Sequence, residues 1–198
     1  MPTTSEPFHA AAVHLLTGWT APSADQDTLR RDYLHFLSEH PDGLHRQQRA
    51  GHLTASALIV DPTRQVVLLT LHPLVGRWLQ TGGHCEPSDL DLPAAARREA
   101  VEEGGITEVT IDPDPLRLDR HLVRCRDGAG GETRLQHLDV QFLARVPADA
   151  VAIPSSESLD LRWWPWDALP DGTDASVRNL VMAAHGRLGP LFDHDTAP

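Results

Sequence analysis

Apolar residues along this chain follow two rhythms. Over residues 25–39, Leu29, Tyr33, Leu34, Phe36 and Leu37 recur at helical spacing, the stripe of an amphipathic helix. His40-Pro41-Asp42-Gly43 stops it. A shorter helix is expected over residues 9–16. Further on the runs become short, apolar and extended. Residues 54–60 and 65–71 read as paired strands around the turn Asp61-Pro62-Thr63-Arg64. Residues 109–111, 116–126 and 133–145 also read as strands. The last two form a long hairpin with a strong turn signal at Asp127-Gly128-Ala129-Gly130-Gly131. Its loop is long enough to reach over a bound ligand. Leu92-Pro93 opens a helix, with proline suited to a first turn. A closing helix is expected over residues 173–188, followed by a fraying tail.

Composition narrows the class. A chain of 198 residues fits one domain with some length to spare. No stretch approaches the roughly 20 apolar residues of a membrane span. Residues 1–12 lack the basic start and apolar core of a secretory signal. The two cysteines, Cys85 and Cys125, make no disulfide framework and are expected as reduced thiols in a cytoplasmic protein. Cys85 reads as a small turn residue rather than a nucleophile. The net charge of −11, from 17 basic and 28 acidic residues, disfavours long nucleic acid as a partner. It leaves room for a small phosphorylated ligand, because a bound cation reverses the local field.

The densest chemistry lies between Gly82 and Ile106. Gly82-Gly83-His84-Cys85-Glu86 leads, through Asp89 and Asp91, to Arg98-Glu99-Ala100-Val101-Glu102-Glu103-Gly104-Gly105-Ile106. On a helix, residues three and four apart share a face, so Glu99 points the same way as Glu102 and Glu103. Three like charges on one stripe repel, and a hard divalent cation gives a reason to keep them. Magnesium and manganese prefer carboxylate oxygen and commonly bridge to substrate phosphates. Arg98, four residues before Glu102, is placed to orient the acids through a salt bridge. The bland reading of the same residues is a solvated acidic helix face.

This stretch resembles the Nudix box: G, five residues, E, seven residues, then R-E-U-x-E-E-x-G-U, with U aliphatic. The half from Arg98 to Ile106 fits position by position, with Ala100 a small choice for the first U. In the first half, counting from Gly83, the first acid falls at Asp89. Eight residues then precede Arg98, one more than the pattern has. That resembles a one-residue insertion, with Asp89 or Asp91 taking the first acid's place. Residues 78–83 look like the strand that enters the box, and residues 161–170 like the strand and turn before the last helix.

The resemblance covers roughly residues 50–185. It implies a Nudix-type α/β/α sandwich with a mixed sheet. Residues 1–48 would be an N-terminal helical extension packed on the core, 49–190 the catalytic domain and 191–198 a tail. It also implies a divalent-metal-dependent hydrolase cleaving the pyrophosphate of a nucleoside diphosphate linked to another group. Mg2+ or Mn2+ would sit on Glu99, Glu102 and Glu103, with a homodimer as a frequent assembly in such proteins. Metal-bound water becomes acidic enough to attack phosphorus near neutral pH. Glu102 is the candidate for a dual role as ligand and general base. Gly82, Gly83, Arg77, Trp78 and His84 are the candidate substrate contacts. Arg120, Arg124 and Arg134 are further candidates for phosphate, since guanidinium pairs well with its oxygens. Trp163, Trp164 and Trp166, with Trp78, are candidates for stacking on a base.

Twelve histidines is a high count for this length. His45 and His52 lie seven apart before the first core strand, and His84 follows Gly83. This pattern resembles the three-histidine metal site of isopentenyl diphosphate isomerase, a second member of the same superfamily. Gly82 stands where that enzyme has its cysteine, and its acidic pair falls near Leu135 and His137, with Asp139 close by. The resemblance implies a second, transition-metal site of His45, His52, His84 and His137 or Asp139. Alternatively, His52, His84 and His137 contact substrate phosphate, or they are ordinary core and loop histidines. Two other functions stay open at this point: an isoprenoid-diphosphate isomerase-like enzyme, and a non-catalytic Nudix-fold binding module.

Overall fold

The computed structural model describes residues 5–126, 132–156 and 158–189. In chain order the elements are α1 (Ser5–Gly18), α2 (Ala24–Glu39), β1 (His52–Asp61), β2 (Val66–His72), β3 (Arg77–Leu79), β4 (Thr81–His84), α3 (Leu92–Gly104), β5 (Thr110–Ile111), β6 (Arg117–Arg126), β7 (Glu132–Arg145), β8 (Asp160–Pro165) and α4 (Ala175–Leu188). The expected hairpin tip at 127–131 and the tail at 191–198 lie outside the described residues.

The sheet is mixed and is organised around β1. One edge of β1 runs parallel to β7, from His52 beside His137 to Val60 beside Arg145. Its other edge is divided between two antiparallel partners. β4 takes Thr54 to Ala57, and β2 takes Ile59 to Asp61. β2 continues outward to β3 and β8, and β7 to β5 and β6. Where one strand was expected over residues 78–83, the chain changes partner at Gln80. Leu79 pairs with Thr70 of β2, and Thr81 with Ala57 of β1.

Strand alternation sorts the side chains into two layers. Leu53, Ala55, Ala57 and Ile59 of β1, with Leu138, Val140, Phe142 and Ala144 of β7, join one apolar cluster with α1, α2 and α3. Leu58, Val60 and Leu143 face the opposite way, against Val177, Leu180, Val181 and Ala184 of α4. The result is a sheet between helical layers. The first halves of β1 and β7 extend the α4-side face with polar residues instead: His52, Thr54 and Ser56, and His137, Asp139 and Gln141.

The N-terminal helices are tied to this core by more than apolar contact. Phe8, Ala12, Leu16, Tyr33 and Leu37 belong to the α3-side cluster. Gln26, buried at 3% exposure, acts as a substitute strand partner for β6. Its Nε2 donates to the Leu118 carbonyl at 3.0 Å, and its Oε1 accepts from the Leu118 N–H at 2.7 Å. The Tyr33 hydroxyl donates to the Asp119 carbonyl at 2.7 Å. Trp19 Nε1 donates to the Pro115 carbonyl at 2.8 Å.

Candidate functional site

α3 owes its position to small residues. Leu92, Ala95, Ala96, Ala100 and Gly104 are its buried stripe. Their size lets the helix approach the sheet closely; a Cβ on Gly104 would meet Ile59 Cδ1 at 3.0 Å. Asp91 caps the N-terminus, accepting from the Ala94 N–H at 2.8 Å. Gly105 ends the helix in the left-handed region at φ 67°. Arg98, Glu99, Glu102 and Glu103 line a broad cleft of about 1600 Å³, with Glu99 against Gly83 and Glu103 on the Gly82 N–H of β4.

Arg98 is the hub of that face. Its Nε and Nη2 grip the Asp89 carboxylate, both at 3.1 Å. Its Nη1 donates to Glu99 at 2.9 Å and to Glu102 at 3.0 Å. Nη2 also reaches the His84 carbonyl at 2.9 Å. Asp89 and Asp91, both candidates for the displaced first acid, therefore take different positions: Asp89 pairs with Arg98, while Asp91 caps the helix. One guanidinium faces the three carboxylates of Asp89, Glu99 and Glu102, and Glu103 adjoins them by accepting from the Gly82 N–H at 3.0 Å. That excess of negative oxygen suits a hard divalent cation.

The two glycines of β4 are needed for close approach. A Cβ on Gly82 would overlap Ser56 Cβ, and one on Gly83 would lie 2.6 Å from a Glu99 carboxylate oxygen. β4 is thereby clasped between β1 and the acids of α3. Glu99 and Glu102 differ in setting, with side chains 13% and 58% exposed. Glu102 is thus the more open of the two to solvent and ligand.

Beyond β4 the cleft floor is polar. Asp139, almost fully buried, accepts from Thr54 Oγ1 at 3.0 Å, Ser56 Oγ at 2.7 Å and Gln141 Nε2 at 3.2 Å. Burial raises its pKa against the pull of these donors and of His121. On β6, His121 Nδ1 lies 2.9 Å from Asp119 Oδ2, and this hydrogen bond raises the imidazole's pKa. Thr54, Ser56, Gln141 and the Asp119–His121 pair were not singled out from the sequence. Their only sequence signal is alternation on strands whose register is set by distant partners.

Three of the four candidate second-site histidines meet. His52 lies beside His137 across the β1–β7 ladder, and His84 beside Thr54 across β1–β4. Ring centroids are 4.7 Å apart for His52 and His137, 5.0 Å for His52 and His84, and 5.2 Å for His84 and His137. One ring nitrogen from each lies within 4.8 Å of the others. His45 is exposed on the cleft rim and stands outside this triangle.

Both nitrogens of His52 and Nε2 of His137 are buried without a hydrogen-bond partner. The Gln48 backbone lies near His52, influencing its titration, but outside hydrogen-bonding geometry. Burial lowers the pKa of all three rings. His84 falls to about 4, helped by His52 and Arg46. His137 falls to about 3, helped by His52, His84 and His121. Burial thus favours the neutral form of each ring.

The remaining candidates scatter. Arg77 is exposed on the cleft rim. Arg120 pairs with Asp32 of α2 at 3.0 Å, and Arg134 is exposed. The Arg124 side chain lies outside the described residues. Trp78 meets Trp164 edge to face, with centroids 5.3 Å apart, and Trp166 stacks on His185 at 4.2 Å.

Comparison with known proteins agrees with this architecture. A family model described as NUDIX domain matches residues 50–184. No curated protein sequence matches the chain. Among solved structures, a NUDIX-family hydrolase from Clostridium perfringens superposes with a TM-score of 0.51 at 23% identity, covering 70% of this chain and 99% of that one. The Escherichia coli dihydroneopterin triphosphate pyrophosphohydrolase does so with a TM-score of 0.53 at 22% identity, covering 65% and 91%. The NUDIX domain of Shewanella oneidensis NrtR, complexed with ADP ribose, gives a TM-score of 0.52 at 22% identity, covering 77% and 98%. At these identities the likeness is one of fold.

Proposed function

We propose that this chain, which belongs to the NUDIX domain family and is by that membership a pyrophosphohydrolase, cleaves the phosphoanhydride of a nucleotide-like diphosphate with the help of divalent cations held on α3. The observation that carries this reading is the Arg98 hub, which gathers Asp89, Glu99 and Glu102 on one cleft wall. Glu99, Glu102 and Glu103 would hold Mg2+ or Mn2+, which supplies charge neutralisation at phosphorus and a more acidic bound water. A carboxylate cluster with a single guanidinium fits such an ion, and the missing side chain at Gly83 leaves room for the Glu99 carboxylate.

The chain's own residues have separable tasks. Arg98 restrains Glu99 and Glu102, so the oxygens are set in position before substrate arrives. The Gly82 N–H does the same for Glu103. Glu102, the more exposed acid, is the proposed proton acceptor from the attacking water. Arg77 on the rim is the proposed contact for a substrate phosphate. The nucleotide-like substrate class draws on two fold relatives, one acting on dihydroneopterin triphosphate and one complexed with ADP ribose.

The test is phosphate release, coupled to pyrophosphatase or phosphatase, over a panel of nucleoside diphosphate derivatives with Mg2+ or Mn2+. Glu103→Gln keeps an acceptor for the Gly82 N–H but removes the charge. Turnover should need the metal and fall by more than about 100-fold in this variant, beyond the usual cost of an outer-shell change. Metal-independent turnover, or a variant as active as wild type, would defeat the proposal.

A further inference from the structure

The histidine triangle is chemically unlike the wall of carboxylates across the cleft. Its donors are three imidazole rings on three different strands, held by backbone pairing rather than by flexible loops. His52 is 1% exposed, and neither of its nitrogens has a hydrogen-bond partner. Burying such groups unpaired is unfavourable. A ligand that accepts lone pairs from all three rings removes that cost.

Two ligand chemistries would use imidazole here. An anion would need hydrogen-bond donors here, whereas a cation needs the lone pairs of ring nitrogens, which converge with both nitrogens of His52 and one of His137 unpartnered. The surrounding charge favours the cation. Asp139 lies in the floor beside the triangle, and its oxygens are engaged by the neutral donors Thr54, Ser56 and Gln141. It is therefore placed to offset positive charge without itself coordinating. Asp119, paired with His121, adds a second carboxylate at the side.

We propose that His52, His84 and His137 form a binding site for one transition-series dication, separate in ligand chemistry from Glu99, Glu102 and Glu103. Imidazole nitrogen suits zinc, iron, cobalt or nickel, whereas magnesium keeps to oxygen. Tetrahedral ligation at typical metal–nitrogen lengths spaces the ligand atoms about 3.4 Å apart. One nitrogen from each ring already lies within 4.8 Å of the others. Three protein ligands leave a fourth position for water or a substrate oxygen, the pattern of an open rather than a structural site. His84 also joins the site to the acidic wall, since its carbonyl accepts from Arg98 at 2.9 Å.

The test uses the full-length protein stripped by a chelator and titrated with Co2+ in excess Mg2+. The expected result is an intense visible band of low-coordinate, nitrogen-ligated Co2+, saturating at one equivalent and abolished by added Zn2+. The band should persist in Glu103→Gln and disappear in His137→Gln. His84→Asn, at the partly exposed end of β4, is a second variant less exposed to folding defects. It should lose the band while circular dichroism and melting of the metal-free protein match wild type. Weak, six-coordinate Co2+ absorption in the wild type would overturn the site, as would an unchanged band in a folded His84→Asn protein. The cobalt band is read without turnover, so a failure of the hydrolase reading leaves this result untouched, and the reverse holds as well.

Discussion

Cys85 illustrates how much one residue's setting governs its chemistry. It stands directly after His84, at the mouth of the cleft, where a nucleophile would be well placed. Yet it is 8% exposed, and its thiol points towards the Leu53 carbonyl, with Sγ at 3.8 Å. Burial pushes its pKa up, with further upward pressure from Asp89. Because the thiolate is the reactive form, Cys85 should resist iodoacetamide in the native protein at pH 8 and react only after unfolding. Peptide mapping by mass spectrometry measures this, and rapid native alkylation would contradict the buried placement. The sequence sets a small turn residue against a nucleophile at Cys85, and the burial speaks against the nucleophile. Arg98 was legible, since the i to i+4 relation to Glu102 depends only on helix geometry. His137 was less so: its partners come from other strands, and spacing along the chain says nothing of them.

At the scale of elements, the joint between α2 and β6 is open to direct test. Among the described residues β6 pairs only with β7, and Gln26 satisfies backbone groups on its other edge. Gln26→Ala would leave the Leu118 N–H and C=O buried without partners. It should cost about 1–3 kcal/mol in chemical denaturation. Tyr33→Phe removes only a hydroxyl donor and should cost less, about 1 kcal/mol. A neutral Gln26→Ala would mean that α2 is held by apolar contact alone. The existence of α2, α3, α4 and the long hairpin was legible from periodicity, because amphipathic stripes and alternation are local signals. The break at Gln80 was not. Residues 78–83 have the character of one extended run, and only competition between β1 and β2 for its two halves divides it.

For the whole molecule, the N-terminal helices are the feature most open to challenge. Phe8, Ala12, Leu16, Tyr33 and Leu37 share one apolar cluster with Leu53, Val140 and Phe142 of the central strands. Deleting residues 1–40 should therefore expose core and yield aggregated or unfolded protein. Circular dichroism and size-exclusion chromatography would show this; a soluble, cooperatively melting remnant would make the extension dispensable. Some features were determined by the sequence itself. The box helix, its Asp91 and Gly105 caps, its facing carboxylates and the orienting Arg98 all rest on contacts within about one or two helical turns. The tertiary structure alone decided which of twelve histidines converge, and that Asp89, with Asp91 taken up as the helix cap, pairs with Arg98. It also decided that Asp139 lies beneath the cleft. The physical reason is register: alternation marks which residues share a face of a strand, but the parallel pairing of β1 with β7, distant in sequence, sets which faces meet.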